Sequence, residues 1–490
     1  AAVWTGNLMI VWGGWDSGGT SLASGGRYDP ATDTWAPTTL AGAPQGRLLP
    51  STIWTGDRMI IWGGVLYQCC PISNFTPLNS GGRYDPIADS WTATTLSGAP
   101  TPRYLQTTVW TGSRMVVWGG YDQSAALASG GRYDPATNTW DAMSASGAPA
   151  ARYNHGAVMA AGSMVLWGGE NGTTQFGDGG RYDPAGDTWL PLSVSGAPAA
   201  RSSHSAISTD SSMVVWGGWD RTTRMNTGGR YDPVTDQWSG MSNAGAPSGR
   251  TSHSTVWTGA EMIVWGGSSG SSGLDSGGRY DPVSDSWSPM ASIDSPRRRA
   301  AATGVWTGES MLIWGGYDTV NIFGGGSFDE ELATGGQYCL CPMSAVYRDA
   351  DADGLGDSGQ TIQACAPPPG YVVAGGDCND ADGANWATPG EARNLQFTNA
   401  TSLSWSPPSA PGSSAPHYDV IRSGSAADFV SAALCTATDT PLLSLGDSGI
   451  PAVSARFHYL IRARNGCPAN AFGPLGNASN GTPRTALTCP

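Results

Sequence analysis

The sequence predicts an all-β protein whose first two-thirds form a β-propeller of seven repeated units. Seven copies of Trp-Gly-Gly begin at residues 12, 62, 118, 167, 216, 265 and 314, and the spacing is 49 or 50 residues at every step but one. A second signature, Gly-Gly-Arg-Tyr-Asp-Pro, begins at residues 25, 81, 130, 179, 228 and 277 and keeps the same period. A repeat of this length is one supersecondary unit that can bury its apolar face only against neighbouring copies.

Residues 250–291 illustrate the unit and predict four short antiparallel strands. Polar and apolar residues alternate over residues 255–257, and a continuous apolar run at residues 262–265 ends at a Gly-Gly pair. Residues 277–280 and 286–287 follow, joined by an Asp-Pro turn in which the fixed φ of proline is favourable and its missing N–H costs no ladder bond. Four-stranded units repeated radially make a propeller, which leaves only short, protected edges.

These anchors resemble the Kelch repeat: a Gly-Gly pair after an apolar strand, then Tyr-Asp-Pro, then a Trp five residues past the proline. The resemblance covers residues 1–338 and implies a seven-bladed Kelch-type β-propeller. The last copy is degenerate, Gly335-Gly336-Gln337-Tyr338, and the outer-strand Trp occurs only six times. We therefore expect residues upstream of Ala1 to supply the missing outer strand of the last blade, because an open edge is an aggregation hazard.

Charge and hydropathy exclude two classes of partner. The 490 residues carry a net charge of -14 and include no lysine. Nucleic acid binding is not expected, because phosphate binding needs a basic surface. No apolar run approaches the roughly 18 residues that a membrane span requires.

Arginine and tryptophan are mostly accounted for by the repeat, which predicts structural roles for them. Six arginines follow the Gly-Gly pairs and six precede Trp-Gly-Gly by 15 residues, so we expect scaffold pairing rather than a basic patch. Of the 22 tryptophans, 18 occupy three repeat positions. We expect these 18 in the core, where burying one contributes roughly 4–6 kcal/mol before entropy. The outer-strand position holds Trp35, Trp91, Trp140, Trp189, Trp238 and Trp287, and the inner-strand position holds Trp4, Trp54, Trp110, Trp257 and Trp306.

The segments that follow each Gly-Gly pair are the predicted ligand-binding loops. They open with an aromatic residue in four units, and those of the second and last units, residues 65–80 and 317–334, are the longest. Loops on a rigid scaffold commonly carry recognition, so we expect a protein or a glycan to bind there; ordinary loop decoration is the alternative. The candidate ligand-binding residues are Trp15, Tyr67, Tyr121, Trp219 and Tyr317.

The sequence offers weak grounds for an enzyme. His155, His204 and His253 occupy one equivalent position in consecutive units; we expect packing there, with a metal site as the alternative. The copper-dependent galactose oxidase family, also built on a propeller, implies a cysteine crosslinked to a tyrosine, and the cysteines here do not fit that arrangement. No Ser/His/Asp set, P-loop or His-Glu-x-x-His occurs, so no catalytic residue is assigned.

The sequence of residues 339–391 predicts an acidic connector with a calcium site. Oxygen ligands at Asp349, Asp351, Asp353 and Asp357 with the Leu355 carbonyl match a calcium loop, although Gln360 stands where an EF-hand has glutamate. A second run with Asp377, Asn379, Asp380 and Asp382 could complete the shell, and Cys365 and Cys378 would join the two runs by a disulfide. The layout resembles the metal-binding motif of bacterial surface proteins and the acidic repeats of thrombospondin, and both imply calcium. A solvated acidic linker is the alternative.

Residues 392–490 change to short alternating strands at 395–397, 402–405, 418–421 and 457–463. Ser404-Trp405-Ser406-Pro407-Pro408, Tyr418-Asp419-Val420-Ile421 and Tyr459-Leu460-Ile461-Arg462-Ala463 resemble a fibronectin type III domain. The resemblance implies a β-sandwich with Trp405 in its core and Tyr459 on strand F.

Seven of the nine cysteines lie in the last 152 residues, and five Asn-x-Ser/Thr sites occur, which suits secretion into an oxidising compartment. The odd number leaves at least one thiol unpaired within the chain. We expect a secreted or cell-surface recognition or adhesion protein of a bacterium-like host, non-catalytic and stiffened by calcium. The alternatives are a structural subunit of an extracellular filament, sheath or surface layer, and a propeller enzyme of the oxidoreductase or carbohydrate-active type.

Overall fold

The computed structural model describes residues 1–16, 18–68, 74–209, 211–270, 272–290, 295–322, 326–340, 344–352, 354–364, 367, 370–377, 392–399, 401–409, 413, 416–425, 428–431, 433–449 and 456–464. The regular structure of these residues is β-strand throughout, which confirms the all-β prediction. The chain forms two compact units, Ala1–Leu340 and Cys341–Pro490.

Among the described residues, seven antiparallel sheets of three or four strands, numbered here 1 to 7 in chain order, form the body of the first unit. Sheets 1 to 6 have four strands each, in sequence order from the innermost outward, and sheet 7 has three strands among the described residues. The innermost strands are Ala2–Trp4, Ser51–Trp54, Thr107–Trp110, Gly156–Ala160, Ser205–Ser208, Ser254–Trp257 and Thr303–Trp306. The second strands are Met9–Trp12, Met59–Trp62, Met115–Trp118, Ser163–Trp167, Met213–Trp216, Met262–Trp265 and Ser310–Trp314. The third strands are Gly25–Asp29, Gly81–Asp85, Gly130–Asp134, Gly179–Asp183, Gly228–Asp232, Gly277–Asp281 and Gly335–Cys339. The fourth strands are Thr34–Pro37, Ser90–Ala93, Thr139–Ala142, Thr188–Pro191, Gln237–Gly240 and Ser286–Pro289.

The glycine pair that opens each third strand is needed for close approach, as sheet 2 illustrates. Gly81 lies opposite Trp62, and a Cβ there would come within 2.2 Å of the Ile61 carbonyl oxygen. A Cβ on Gly82 would come within 2.5 Å of Pro44, which belongs to the segment arriving from sheet 1. The repeat therefore keeps glycine where two strands and a crossing proline pack without side-chain space.

The apolar core lies between adjacent sheets rather than within one. Separate clusters join sheets 1 and 2, 2 and 3, 3 and 4, 4 and 5, 5 and 6, and 6 and 7. A further cluster joins Met9 of sheet 1 to Val305 and Leu312 of sheet 7, and the innermost strands of these two sheets are in contact. The series of packed sheets thus returns to its beginning.

The long segments after the second strands of sheets 2 and 7 differ from the prediction of plain loops. Val65–Gln68 pairs with Asn74–Pro77, and Tyr317–Ile322 pairs with Gly326–Glu331, so each segment forms a two-stranded hairpin. Their extra length supplies two extended arms, which the nine-residue segments of sheets 3 to 6 are too short to form.

The described part of the second unit forms one four-stranded sheet and two three-stranded sheets. In spatial order the four-stranded sheet is Tyr371–Val372, Ser344–Arg348, Gly356–Ala364 and Gly375–Asp377. The three-stranded sheets are Arg393–Asn399, Ser402–Ser406 and Ser444–Gly446, and Ala433–Thr440, His417–Ser423 and His458–Arg464. Trp405 is 5% exposed and packs with Tyr418 and Ile461, so the two three-stranded sheets share one core.

Candidate functional site

A layer of buried arginines supports the segments after the Gly-Gly pairs. Arg103 is typical: its guanidinium donates to the carbonyls of Gly119 at 3.0 Å and Ser129 at 2.6 Å, while Nε donates to the Thr101 carbonyl at 2.9 Å. Burial lowers the pKa of Arg103 to about 10, which leaves it charged at neutral pH. The predicted scaffold role is confirmed, because each guanidinium joins the end of a second strand to the start of a third. The members of this layer are Arg47, Arg103, Arg152, Arg201, Arg250 and Arg299.

The three equivalent histidines pack between sheets. His155, His204 and His253 lie edge-on against Trp118, Trp167 and Trp216 of the preceding sheet, with ring centroids 5.2–5.4 Å apart. Burial lowers the pKa of His204 to about 3, so its imidazole is neutral at ordinary pH. No group of three or more His, Cys, Asp or Glu side chains with metal-site geometry occurs among the described residues, which include all three histidines. The contacts of the three rings with tryptophan agree with the packing that the sequence predicts.

The loops above this layer are numbered 1 to 7 with their sheets and comprise residues 15–24, 65–80, 121–129, 170–178, 219–227, 268–276 and 317–334. In loops 2 to 7 the first residue forms paired backbone hydrogen bonds with the residue that follows the buried arginine. In sheet 3 this pair is Tyr121 and Tyr104, with N···O distances of 2.8 and 3.1 Å. The first side chain of such a loop is therefore held by the sheet and not by the loop alone.

Trp15 and Tyr67 come together on loops 1 and 2. Their ring centroids are 5.7 Å apart in an edge-on arrangement, and Tyr67 packs at 4.8 Å against Phe75, which is 39% exposed. The Ser21 hydroxyl accepts a hydrogen bond from the Tyr67 backbone N–H at 2.8 Å, which joins the two loops. These three half-exposed rings are the aromatic group of loops 1 and 2.

Tyr121 belongs to a second set of rings, Tyr104, Tyr121 and Tyr153, which we call the tyrosine group. Tyr121 lies 5.7 Å from Tyr104 and 5.1 Å from Tyr153, and all three side chains are partly exposed. The sequence analysis missed Tyr104 and Tyr153, because each follows a buried arginine rather than a Gly-Gly pair. The Arg-Tyr dipeptides at residues 103–104 and 152–153 are the signal that could have found them.

Trp219 opens loop 5, the loop that contacts both of its neighbours through arginines. Arg221 donates to the Gly172 carbonyl of loop 4, and its Nη2 lies 3.7 Å from Glu170 Oε2. The guanidinium of Arg224 lies against Gly270 of loop 6, where a Cβ would come within 2.5 Å of it. Burial and the neighbouring Glu170 carboxylate raise the pKa of Tyr153. Loop 5 therefore adds two exposed cations to an aromatic surface.

Tyr317 opens the hairpin of sheet 7 and forms paired backbone hydrogen bonds with Ala300 at 2.8 and 2.9 Å. The next residue, Asp318, is fully buried, with Oδ2 2.9 Å from Arg298 Nε and 3.3 Å from Arg297 Nη2. Tyr317 lies in a different loop from the tyrosine group, so the five predicted ligand-binding residues do not form one cluster.

The acidic residues of the connector lie in the second unit, which begins at Cys341, whereas Cys339 ends a strand of sheet 7. Asp357 pairs with Asp377 across parallel strands, and Asp349 Oδ2 accepts the Gly354 N–H at 3.1 Å. Asp349 and Asp377 are 9% and 8% exposed. The described residues Asp349, Asp351, Leu355, Asp357 and Asp377 thus lie on or beside one sheet. Asp353, Asn379, Asp380, Asp382 and the cysteines Cys365 and Cys378 lie outside the described residues.

Residues 106–316 match the KLHDC2/KLHL20/DRC7 Kelch-repeats domain family. This stretch runs from just before the innermost strand of sheet 3 to the Gly-Gly pair of sheet 7. The chain therefore contains Kelch repeats, as its sequence predicted. No curated protein matches the chain. Among the described residues no helix has the length and hydropathy to cross a membrane.

Proposed function

We propose that this protein is a secreted or cell-surface recognition protein that binds another protein through the loops of a seven-bladed Kelch propeller. Kelch repeats suggest protein binding, and residues 106–316 carry them. The seven sheets, with a core cluster between sheets 7 and 1, support one closed ring of blades. No catalytic role is assigned to any residue.

One observation carries this proposal: the surface formed by loops 3 to 5 is rich in Tyr, Trp and Arg. Tyr104, Tyr121, Tyr153 and Trp219 are partly exposed, and Arg221 is exposed beside them. These residue types dominate binding energy at protein interfaces because each presents a large, rather rigid surface together with a hydrogen-bonding group. The loop backbones are hydrogen-bonded to the sheets, so little ordering entropy is lost on binding.

The oxidising location is supported by covalent structure. Cys339 takes part in a disulfide bond, and so does Cys435. The two cysteines are not assigned to one another. Disulfides persist mainly in secreted and surface proteins, because reducing systems keep cytosolic thiols free. A bacterial host and an adhesive role are expectations from the resemblances of the second unit.

Calcium is proposed for the acidic connector. Its support is that strand pairing sets Asp357 opposite Asp377, with Asp349 and Asp377 nearly buried. The described residues alone form no group of three carboxylates with metal-site geometry, so the proposed site also needs ligands outside them. Neighbouring carboxylates repel one another unless a cation lies among them. We infer that the two three-stranded sheets form a β-sandwich of the fibronectin type III kind. Calcium, when bound, would make the connector that leads to this sandwich more rigid.

Calcium titration of the whole chain tests the connector. Extracellular modules bind calcium at about 10⁻⁴–10⁻³ M, so calorimetry should detect binding in that range and Asp377→Asn should weaken it. Asp141→Asn in sheet 3, where the carboxylate pairs with Arg114, is the matched control and should leave binding unchanged. Absence of any heat at millimolar calcium contradicts the calcium proposal and leaves the loop-face proposal standing.

Paired substitutions on opposite sides of the sheets test the recognition proposal. Protein partners are identified by crosslinking in the native medium, and their binding is then measured with purified variants. Trp219→Ala and Tyr121→Ala should weaken binding at least tenfold, since hot-spot residues are worth 2 kcal/mol or more. Ile87→Ala, at a turn between third and fourth strands where the side chain is 96% exposed, is the control and should bind normally. Equal binding by all three variants contradicts the proposed site.

A further inference from the structure

Glu170, at the start of loop 4, is a carboxylate held at the surface in an almost buried position. The residue is 8% exposed and accepts a hydrogen bond from the Ser202 hydroxyl at 2.9 Å. Its backbone is fixed by paired hydrogen bonds with Tyr153, both 2.9 Å long. Two further rings of the tyrosine group continue from Tyr153. The charge is therefore pre-positioned at the edge of an aromatic wall.

The cation now at this carboxylate comes from the neighbouring loop. Arg221 donates to the Gly172 carbonyl and lies 3.7 Å from Glu170, with its side chain 37% exposed. Only the arginine of this pair is exposed, so water screens its charge, and its long side chain loses rotamer freedom in the pair. The position nevertheless combines what a guanidinium requires: a carboxylate, a carbonyl acceptor and nearby aromatic rings.

The backbone of Arg221 is in a conformation that favours glycine. Its φ is 81°, and the same loop position is also left-handed in the neighbouring loops, with φ 80° at Gln123 of loop 3, 94° at Gly172 of loop 4 and 112° at Gly270 of loop 6. A residue with a side chain costs free energy in this region, and such costs concentrate at functional sites. Arg221 thus adopts a conformation that glycine adopts in loops 4 and 6 and glutamine adopts in loop 3, and its side chain is directed to loop 4.

We propose that Glu170, the Gly172 carbonyl and the tyrosine group form a binding site for an arginine side chain of the protein partner, and that Arg221 occupies this site in the free protein. The inference rests on the proposed function and names the chemistry of its partner. The incoming arginine replaces Arg221, so Arg221 competes with the partner. The net charge of -14 favours approach of a partner that carries such a cation.

Removal of the competitor tests the proposal. The probe is the blocked peptide acetyl-Gly-Arg-Gly-amide, titrated into the full chain and followed by NMR. Arg221→Gly introduces the residue that loops 4 and 6 have at this position. It should bind the probe about three- to fivefold more tightly than the unmodified chain, because it removes a competing cation whose own side chain is exposed. Arg224→Ala is the matched control, because Arg224 lies against loop 6, and it should bind like the unmodified chain.

A second substitution identifies the acceptor. In the Arg221→Gly background, Glu170→Gln keeps an acceptor for Ser202 but removes the charge, and it should abolish the gain; Tyr153→Leu should reduce it. The corresponding peptide with glutamate in place of arginine should not bind. Unchanged or weaker affinity of Arg221→Gly, or a gain that survives Glu170→Gln, overturns the arginine site. If the arginine site is overturned but the binding of the protein partner is still weakened by Trp219→Ala, the proposed function stands.

Discussion

At the scale of single residues, polar side chains at equivalent positions of the repeat connect neighbouring sheets. Gln106, His155 and His204 occupy one equivalent position, next to the Trp-Gly-Gly segment of the preceding sheet. Gln106 donates to Ser51 at 2.9 Å, and His155 shares a 2.7 Å hydrogen bond with Thr107. The residue equivalent to Ser51 and Thr107 in sheet 4 is Gly156, where a Cβ would come within 2.8 Å of His204 Nε2. Because Gly156 has no side chain, His204 packs closely against its backbone and has no hydroxyl partner at the place where Ser51 and Thr107 supply one.

The buried His204 makes stability fall in acid. Its pKa is lowered to about 3 by burial and by the nearby Arg201 and His253, whereas an unfolded chain titrates near 6.5. The unfolded state therefore binds more protons between these values, and the free energy of unfolding should fall by on the order of 3 kcal/mol between pH 6.5 and pH 4. His204→Gln, which copies Gln106, should lose less stability over this range. Denaturant unfolding at several pH values measures the difference, and parallel curves for the two proteins would contradict the assignment.

A buried arginine and an exposed arginine of sheet 3 should differ widely in their contribution to stability. Arg103→Met leaves the Gly119 and Ser129 carbonyls without their donor and should destabilise the chain by on the order of 3–5 kcal/mol. Arg114→Met removes an exposed pair with Asp141 and should cost about 1 kcal/mol or less. Thermal unfolding of the two variants measures this contrast. Equal losses would show that the buried layer is not structural.

At the scale of elements, the tryptophans join each sheet to the one before it. The outer-strand Trp of sheets 2 to 6 lies 5.1–5.5 Å from the Trp-Gly-Gly ring of the preceding sheet. Trp35 of sheet 1 makes the same contact with Trp314 of sheet 7 at 4.3 Å. Trp35 departs from the expected burial, however, and is 39% exposed. The five inner-strand tryptophans also depart from it, because they are only partly buried: Trp4, Trp54, Trp110, Trp257 and Trp306. In sheets 2 to 7 a proline of the crossing segment packs on the second glycine of the third strand, whereas the nearest neighbours of Gly26 are Trp35 and Ala36.

The two kinds of outer tryptophan should respond differently to truncation. Trp91 is 8% exposed and donates Nε1–H to the Thr39 carbonyl at 3.1 Å, so Trp91→Ala should cost about 3–5 kcal/mol. Trp35→Ala removes a partly solvated ring and should cost about 1–2 kcal/mol. Urea unfolding provides both values. A larger loss at Trp35 would mean that the junction of sheets 1 and 7 is the tighter one.

Elements were predictable from sequence where the repeat is regular. The four strands of the 250–291 unit follow from alternation, the apolar run and the Asp-Pro turn, and the structure has them at Ser254–Trp257, Met262–Trp265, Gly277–Asp281 and Ser286–Pro289. The hairpins of sheets 2 and 7 were not predicted, because their sequences lack the repeat against which register can be read. Strand pairing there depends on cross-strand contacts such as Tyr67 with Phe75.

At the scale of the whole molecule, the repeat specifies the scaffold, and the proposed binding site lies where the units differ in sequence. The Trp-Gly-Gly rings recur in all seven units and the buried arginines in six of them, so sequence alone located them. The candidate site could be predicted only in part: Tyr121 and Trp219 were found by position, whereas Tyr104, Tyr153, Glu170 and Arg221 become neighbours only when adjacent loops are brought together. A single unit carries no signal for such contacts between loops.

Hydrogen exchange of the whole chain with and without its protein partner tests the recognition account most directly. The account predicts slower amide exchange on binding in loops 3, 4 and 5, residues 121–129, 170–178 and 219–227, while the turns between third and fourth strands exchange as before. Protection confined to those turns, or to residues of the second unit, would contradict it.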